Sequence, residues 1–443
     1  MTRIRFGLAL SVTVSLGLCV AVAFAAPPAP GAAPPGPKPG APPAKPAEPK
    51  PAAAKPADAK PADAKPAVPG GNLVTITAAN PSAFARNRET IALAGAELAK
   101  LASSFELKKA IVVDAGGRPL LSQLVDMNGD DEPDELVFQA DFAPGEAKRF
   151  NVRLGERPHA VAAQEYKVYG RFVRERHDDF VWENDLVAHR MYGPDLETFV
   201  KEPLVSSGID TWAKRVPRLL VNEWYMTDDY HQDNGDGADF YGVGKSRGCG
   251  GLGVWSGGKL YSSRNFTRSR VLANGPIRLI FELSYAAWDV SGGVKVAETK
   301  RVTLDAGTPF NVFESTFTGA GKAPLAVGIG IAKHAGGTVQ IDAAGGFMRS
   351  WEPLKGLKGE PSGNLGCAIA LGAGAPLTAQ NTELDSLVVT PTDAGGRVVY
   401  RVGSAWDRAG HVRDAEAWGK AVEDVSARAA APVKIVVAPP ATK

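Results

Sequence analysis

The stretch Ile277-Arg-Leu-Ile-Phe-Glu-Leu-Ser-Tyr285 places an apolar or aromatic residue at every second position. Successive side chains of a β-strand point to opposite faces, so the five odd-numbered residues from Ile277 to Tyr285 would share one buried face. Other short segments have strand character and are separated by Gly, Pro, Asn and Asp: 109–114, 149–154, 218–224, 295–304, 310–317, 326–332, 387–390 and 397–403. Repeated short strands with turn residues between them predict an all-β sandwich.

The two ends of this region have patterns of their own. Residues 72–154 predict a smaller β unit that leads into the larger one, with a boundary near residue 157. In the tail, Ala415, Trp418, Val422 and Val425 recur at helical spacing after Asp414, which is a candidate N-cap. We expect this C-terminal helix to pack on the sandwich as a closing element.

The N-terminus has the pattern of an export signal. Two arginines precede an apolar run over residues 6–24, which ends at the small-residue triplet Ala23-Phe24-Ala25. This predicts a signal peptide at 1–25, a periplasmic or secreted protein, and no transmembrane segment in the mature chain. A lipid anchor at Cys19 is the alternative, but Leu18 stands where a lipobox requires Gly or Ala.

Residues 26–71 are rich in Pro, Ala and Lys and cannot bury a core, so they predict a disordered linker. Residues 72–437 then form the predicted β-sandwich domain. The formal net charge of the chain is only +2, which argues against nucleic acid as the main partner. Cys249 and Cys367 remain after signal cleavage, and the sequence leaves open whether they pair or stay as buried thiols.

The segment Asp126-Met-Asn-Gly-Asp-Asp-Glu-Pro-Asp134 places side-chain oxygens at alternating positions. Such spacing lets a tight loop surround a hard cation, and calcium in a structural role is the natural candidate. The predicted ligands are Asp126, Asn128, Asp130 and Asp134. The alternative is an Asp/Asn/Gly turn between two strands, with solvated carboxylates.

The segment from Trp182 to Tyr192 would show one mixed face if it were a single strand. Aromatic planes on that face can cover a sugar ring, while amide and guanidinium groups bind hydroxyl or carboxylate oxygens. The predicted sugar-binding residues of this face are Trp182, Asn184, Arg190 and Tyr192. The alternative is a core strand with paired charges.

The segment 225–247 is rich in Asp, Tyr, His and Gly and is too polar for a core. A His near neutral pKa can move a proton while a carboxylate orients its ring, so the segment predicts acid/base chemistry. The candidate catalytic residues are Tyr230, His231, Asp233, Asp239 and Tyr241. Further candidates for substrate binding are Lys214, Arg215, Lys245, Arg247, His334 and Trp406. The alternative is a turn-rich loop held by salt bridges.

The segment Gly248-Cys-Gly-Gly-Leu-Gly253 matches the glycine pattern of dinucleotide-binding folds. That pattern requires a strand before it and a helix after it, within a βαβ unit. Neither is expected in an exported β domain, so we predict no nucleotide cofactor.

Several motifs taken in order resemble a known bacterial family. They are Trp182-Glu-Asn-Asp185, Arg190-Met-Tyr-Gly193, Gly208-Ile-Asp-Thr-Trp-Ala-Lys214, Tyr230-His-x-Asp-x-Gly-x-Gly-x-Asp239-Phe-Tyr241 and Gly244-x-Ser-x-Gly-Cys-Gly-Gly251. Together they resemble the domain-of-unknown-function 4861 family over nearly everything after the linker. The resemblance implies a galactose-mutarotase-like β-supersandwich and a role in polysaccharide breakdown, notably of pectic material.

The residues and the resemblance together favour a lyase acting on uronic-acid oligosaccharides. Arg190 and Asn184, with Lys214 or Arg215, would neutralise the uronate carboxylate, and His231 with a tyrosine would move the protons. A glycoside hydrolase is the nearest competing prediction, using two of Glu183, Asp185, Asp233, Asp236 and Asp239. The sequence is also compatible with a sugar mutarotase or epimerase, and with a non-catalytic glycan-binding protein.

Overall fold

The structure is a computed structural model that describes residues 71, 73–101, 105–157, 161–177, 179–200, 203–227, 230–319, 321 and 324–440. The predicted signal peptide and nearly all of the predicted linker lie outside these residues. Within the described part of the chain, strands predominate and helices are few, which confirms the prediction of an all-β fold. The described helices include none that is long and apolar enough to span a bilayer.

The first strands form a small unit of two antiparallel sheets. They are β1 (Val74–Ala79), β2 (Arg86–Ala94), β3 (Ala110–Asp114), β4 (Ser122–Val125), β5 (Glu135–Phe142) and β6 (Ala147–Leu154). One sheet contains β1, β6 and β3, and the other has the order β2-β5-β4. A short helix, α1 (Gly95–Leu101), follows β2. Ile76, Ile91 and Phe138 are fully buried between the sheets, so the unit has its own apolar core.

A second group of strands forms a five-stranded sheet in the order β11-β10-β9-β8-β7. The strands are β7 (Val168–Val173), β8 (Asp179–Asn184), β9 (Ala188–Met191), β10 (Asp210–Lys214) and β11 (Gly237–Ala238). Helix α2 (Val221–Thr227) lies between β10 and β11 in the chain, where the sequence predicted a strand over 218–224. The prediction was wrong because α2 is fixed by distant contacts. The buried Glu183 carboxylate accepts the amides of Leu220 and Val221 at its first turn.

The remaining strands of the sandwich form two more sheets. They are β12 (Cys249–Ser256), β13 (Lys259–Tyr261), β14 (Arg268–Asn274), β15 (Arg278–Asp289), β16 (Lys295–Asp305), β17 (Phe310–Thr318), β18 (Ala326–Ala332), β19 (Thr338–Asp342), β20 (Phe347–Lys355), β21 (Pro361–Ala370), β22 (Thr378–Asn381), β23 (Asp385–Pro391) and β24 (Arg397–Trp406). The eight-stranded sheet has the order β14-β15-β16-β17-β24-β21-β20-β19, and the five-stranded sheet has the order β13-β12-β18-β23-β22.

Both five-stranded sheets pack on the same face of the eight-stranded sheet. The Trp182 ring of β8 lies 5.0 Å from Phe281 of β15, and the Cys249 thiol of β12 approaches the Gly403 carbonyl of β24 at 3.4 Å. The odd-numbered residues from Leu279 to Tyr285 are buried together in the core of the sandwich, as predicted. Ile277 precedes β15 and is buried instead beside Ile280, in a cluster with Val125 and Val137 of the small unit. Each such large side chain contributes about 1.5–3 kcal/mol by leaving water, so this alternation anchors the sandwich.

The C-terminal segment contacts both the sandwich and the small N-terminal β unit. Helix α3 (Ala415–Ala430) begins where Asp414 accepts the Ala417 amide at 2.8 Å, which confirms the predicted cap. Its Trp418 ring stacks on Phe310 with a centroid distance of 5.5 Å, so the helix packs on the outer face of the eight-stranded sheet. The last strand, β25 (Lys434–Ala438), then pairs antiparallel with β1. The predicted N-terminal β unit is therefore present, and it includes a C-terminal strand that the sequence did not indicate.

Candidate functional site

The segment from Trp182 to Tyr192 is a hairpin, not the single strand that its alternation predicted. Strand β8 ends at Asn184, and β9 returns beside it with Trp182 opposite His189. The Asn184 side chain makes the turn, because its Oδ1 accepts the amides of Leu186 and Val187 at 2.8 and 2.9 Å. An Asn that bonds backbone amides two and three residues later stabilises a turn, and the strand prediction overlooked this.

The predicted sugar-binding face therefore does not form an open surface. Trp182 is 0% exposed, and its indole N–H donates to Asn311 at 2.8 Å. The Asn184 amide donates to the carbonyls of Asp305 and Thr308, each at 2.7 Å. Tyr192 is also buried. These three residues belong to the core of the sandwich, and the prediction that they contact a sugar does not fit their positions.

Arg190 lies at the centre of a buried charge cluster on the five-stranded sheet. Its guanidinium is 2.7 Å from Asp210 and 2.9 Å from Asp239, and 3.6 Å from Asp179. It also donates to the Tyr230 hydroxyl at 3.3 Å. The aromatic rings of Tyr192, Trp212 and Tyr230 surround it at 5.4 to 5.7 Å. We call Arg190 with these three aspartates the Arg190 cluster.

One cation faces three carboxylates in this cluster, and burial disfavours their charged forms. Desolvation raises the pKa of Asp179 to about 7, although the nearby guanidiniums oppose the shift. Desolvation also raises the pKa of Asp239 well above its ordinary value. One oxygen of Asp179 and one of Asp210 have no hydrogen-bond partner among the described residues. The cluster can therefore hold a proton at neutral pH.

His231 is the exposed group that this cluster supports. Its side chain is 45% exposed, while its Nδ1 lies 3.2 Å from the Asp239 carbonyl and 3.7 Å from the Asp239 carboxylate. A carbonyl only accepts, so Nδ1 carries the hydrogen, and in the neutral form of the ring Nε2 carries the lone pair. Within the described part of the chain, Nε2 has no hydrogen-bond partner. The geometry leaves a basic nitrogen on an oriented ring at the surface, which suits a general base.

Arg215 and Asp233 lie in the same region and form an ion pair. Asp233 also accepts the amides of Gly235 and Gly237, so the polar loop is held to the end of β10. The Arg215 guanidinium covers the Trp406 ring at 5.0 Å and stays 35% exposed. Trp406 itself is buried, so Arg215, not the indole, is the group that a ligand can reach.

Two predicted binding residues are buried and serve the fold. Lys214 donates to Glu183 at 2.7 Å, in a pair of which each side chain is 1% exposed. Arg247 is buried and donates to the Ser207 hydroxyl at 2.8 Å. Neither cation faces a ligand, so the predicted contacts with a substrate carboxylate do not fit. Lys245, by contrast, is exposed.

His334 lies between Glu352 and a loop carbonyl. Its Nδ1 is 2.9 Å from the Glu352 carboxylate and its Nε2 is 2.7 Å from the Gly242 carbonyl. Both partners accept, so both ring nitrogens donate when Glu352 is ionised, and the imidazole is then cationic. The bond to Glu352 raises the pKa of His334, which favours this form. His334 thus ties the loop to β20 instead of offering a free base.

The two candidate catalytic tyrosines have buried hydroxyls. Tyr230 is 1% exposed, and its hydroxyl meets Arg190. The Tyr241 hydroxyl is buried beside the Cys367 thiol, and burial raises the pKa of Tyr241 well above its ordinary value. Neither hydroxyl is placed to protonate a substrate, so the predicted tyrosine acid does not fit this structure. Cys249 and Cys367 are both free and buried.

The carboxylates that a hydrolase would use are held by cations. Asp185 pairs with Arg88 at 2.6 Å, and Asp236 pairs with Arg218 at 2.6 Å. Glu183 is buried against Lys214. The structure brings none of these three together as a free acid and base.

The predicted calcium loop bonds mainly to its own backbone. Asp126 accepts the amides of Asn128 and Asp131 at 3.0 and 2.9 Å, and Asp134 accepts the Met127 amide at 2.7 Å. Over the described residues, no group of three or more His, Cys, Asp or Glu is placed to hold a metal ion. Asx turns account for the loop geometry, and calcium binding by these residues, including Asp130, stays a prediction.

Three residues of the site were not predicted from the sequence. Asp179, Asp210 and Glu352 were not among the candidates, although each contacts a residue that was. Asp210 lies within the quoted motif that begins at Gly208, so the motif itself was a usable signal. Asp179 and Glu352 gave no local signal, because their partners are Arg190 of another strand and His334 of a loop.

The chain is similar to several known proteins. It is 32% identical over 379 residues to "Uncharacterized protein P7" of Formosa agariphila, covering 82% of this chain and 93% of that protein. Two solved structures from Enterococcus faecalis are similar at a TM-score of 0.47 and 12% identity: a protein in the Glycosyl Hydrolase Family 38 and an alpha-mannosidase of strain V583.

The first covers 82% of this chain and the second 83%, and the chain spans about half of each structure, 47% and 46%. At this distance neither structure assigns an activity. The family model described as Domain of unknown function (DUF4861) matches residues 78–435, as the ordered motifs from Trp182 to Gly251 predicted. The chain belongs to this family.

Proposed function

We propose that the protein processes uronic-acid-containing oligosaccharides by proton transfer, as a lyase, with His231 as the base. The observation that carries the proposal is the position of His231. Its Nδ1 is held by the Asp239 carbonyl, its side chain is 45% exposed, and the Arg190 cluster fixes the supporting aspartate. A surface base with its tautomer fixed from behind is what abstraction of a sugar C–H proton requires.

Arg215 supports a negatively charged sugar as the substrate. Its guanidinium is partly exposed and is held by Asp233, which lies two residues after His231 in the same loop. Neutralising the uronate carboxylate lowers the barrier to removing the proton at C5, because charge develops on that group. Arg215 therefore takes alone the role that the sequence-based prediction gave to Arg190 and Asn184 with Lys214 or Arg215.

The proposed reaction is a β-elimination in which one residue moves the proton twice. His231 Nε2 takes the C5 proton, the C4–O bond breaks, and a C4–C5 double bond forms. The imidazolium then returns the proton to the leaving oxygen, since the hydroxyls of Tyr230 and Tyr241 are buried. Atoms balance without water or a cofactor. We further propose that this occurs outside the cytoplasm, as the export signal over residues 1–25 predicts.

The test is incubation of the purified protein with a panel of pectic and other uronic-acid oligosaccharides. Products are followed by mass spectrometry and by ultraviolet absorbance of the conjugated double bond. Absorbing products of unchanged summed mass support the proposal. Mass gain by one water per cleavage would instead establish a hydrolase, and binding without any product would establish a glycan-binding protein.

A further inference from the structure

The outer face of the eight-stranded sheet carries arginines that pair with carboxylates on neighbouring strands. Arg278 meets Asp305 at 2.7 Å, and Arg301 meets Glu282 at 2.7 Å. Arg397 on β24 pairs in the same way with Glu314 on β17. Cross-strand pairs of opposite charge are the usual way to keep such side chains on a sheet.

Arg401 on the same face of β24 departs from this pattern. Its cross-strand neighbours are Val312 and Ala370, which offer no charge. Across the described residues, its guanidinium has no hydrogen bond and no ion pair within 4.0 Å. Glu89 acts on it only through its charge. Burial lowers the pKa of Arg401 and the charge of Glu89 opposes that shift, but no hydrogen bond or ion pair with a described residue replaces the water that the guanidinium has lost.

Arg401 lines a cavity of about 420 Å³ between β2, the outer face of the sheet and helix α3. This volume lies in the range of ligand pockets, about 300–1,000 Å³. Arg428 of α3 also lines the cavity, and its buried Nε has no partner among the described residues. Phe310 and Val312 supply apolar surface beside the two guanidiniums. We call this cavity the Arg401 cleft.

The carboxylates that line the Arg401 cleft are each held by a cation. Glu89 is bound by Arg86 at 3.0 Å and by Arg428 at 3.4 Å, and Asp305 is bound by Arg278 at 2.7 Å. Asp424 lies 3.4 Å from Lys420. Each carboxylate of the lining therefore has another cation as its partner, and in the part of the chain that the structure describes Arg401 has no ion pair of its own.

We propose that the Arg401 cleft is a second binding site, which takes a carboxylate-bearing ligand of roughly mono- or disaccharide size. The guanidinium fork of Arg401 binds the carboxylate, Arg428 Nε donates to a neighbouring oxygen, and Val312 supplies an apolar contact to the ligand. This cleft lies on the outer face of the eight-stranded sheet, whereas the five-stranded sheet of His231 packs on its inner face. Only the choice of a sugar acid as probe rests on the proposed function.

The test is calorimetric titration of the full chain with digalacturonate, with neutral galactobiose as the matched sugar and sulfate as the bare anion. The titrations use the His231→Gln background, in which the probe is not consumed. We expect digalacturonate to bind and galactobiose not to bind. Arg401→Met should weaken the affinity for digalacturonate by about tenfold or more, since a charge-assisted pair is lost.

Arg397→Met is the control, because Arg397 lies on the same face of the same strand but is paired with Glu314. It should leave binding unchanged. Arg401→Met should keep the melting temperature or raise it, because no native ion pair is removed, so a lost fold cannot explain lost binding. Digalacturonate binding that Arg401→Met leaves intact, or sulfate binding as tight as digalacturonate binding, would overturn the proposal. Turnover of uronides by wild type is a separate readout, and its absence leaves this titration valid.

Discussion

The guanidinium of Arg190 lies 2.9 Å from the carboxylate of Asp239, although the two residues are 49 positions apart in the chain. Asp239 in turn receives the His231 ring on its carbonyl at 3.2 Å. The buried sheet therefore positions a surface histidine through one shared aspartate. This relationship connects the core of the fold to the proposed chemistry.

Removing the Arg190 charge should destabilise the protein strongly. Arg190→Met leaves three buried aspartates without their cation, and breaking a buried pair in this way costs about 3–5 kcal/mol. Arg190→Lys should also be costly, because one ammonium cannot reproduce a fork that meets Asp210 and Asp239 together. Urea unfolding measures the free energy of unfolding of each variant. The control, Arg218→Met, removes an exposed cation and should cost about 1 kcal/mol or less.

Asp179 should make stability fall as the pH rises from about 4 to about 7. Its folded pKa of about 7 lies above the ordinary value of 3.8, so in this window the folded state holds a proton that the unfolded state has lost. The contribution of Asp179 to the free energy of unfolding is largest below pH 4 and is lost as the pH rises through 7. This contribution is at most about 4 kcal/mol.

The comparison is with Asp179→Asn, a neutral side chain that still accepts from the Tyr225 hydroxyl. Urea unfolding of both proteins at pH 4.5, 6 and 7.5 gives the free energy of unfolding as a function of pH. We expect the variant to become more stable relative to wild type as the pH rises. The same pH dependence in the two proteins would contradict a raised pKa at Asp179.

His334 should titrate above the ordinary histidine value because of its bond to Glu352. Its folded pKa is raised, so its contribution to stability is present below pH 6.5 and is lost as the pH rises through the folded pKa. Nitrogen-15 NMR of the imidazole measures this pKa directly. Glu352→Gln should lower it, because burial then acts without the opposing carboxylate. A pKa that is the same in both proteins would refute the assigned contact.

The strands and the closing helix could be predicted because their signals are local. The alternation from Ile277 to Tyr285 reports its own burial, and Asp414 caps the helix three residues before the amide that it accepts. The roles of polar and aromatic residues that are hydrogen-bonded inside the core could not be predicted. Trp182 and Asn184 have the composition of a sugar site, but their partners are Asn311 and backbone carbonyls more than a hundred positions away.

Only the part of the candidate site that has a local signal in the sequence could be predicted. The density of Asp, Tyr and His over 225–247 pointed to His231 and Asp239, which the structure brings together. It could not reveal Asp179 or Asp210, because these meet Arg190 only after strands β8, β9 and β10 assemble. Burial of the tyrosine hydroxyls was equally invisible, since it depends on packing between sheets.

The most direct test of the proposed lyase compares wild type, His231→Gln and Gln232→Ala on the uronic-acid oligosaccharide that gives the strongest absorbance signal. Gln keeps the polarity of His231 but supplies no base, while Gln232 is its exposed neighbour in the same loop. We expect His231→Gln to lose a factor of about 100 or more in turnover, with the melting temperature unchanged, and Gln232→Ala to keep near wild-type turnover. Undiminished turnover in His231→Gln would contradict the account.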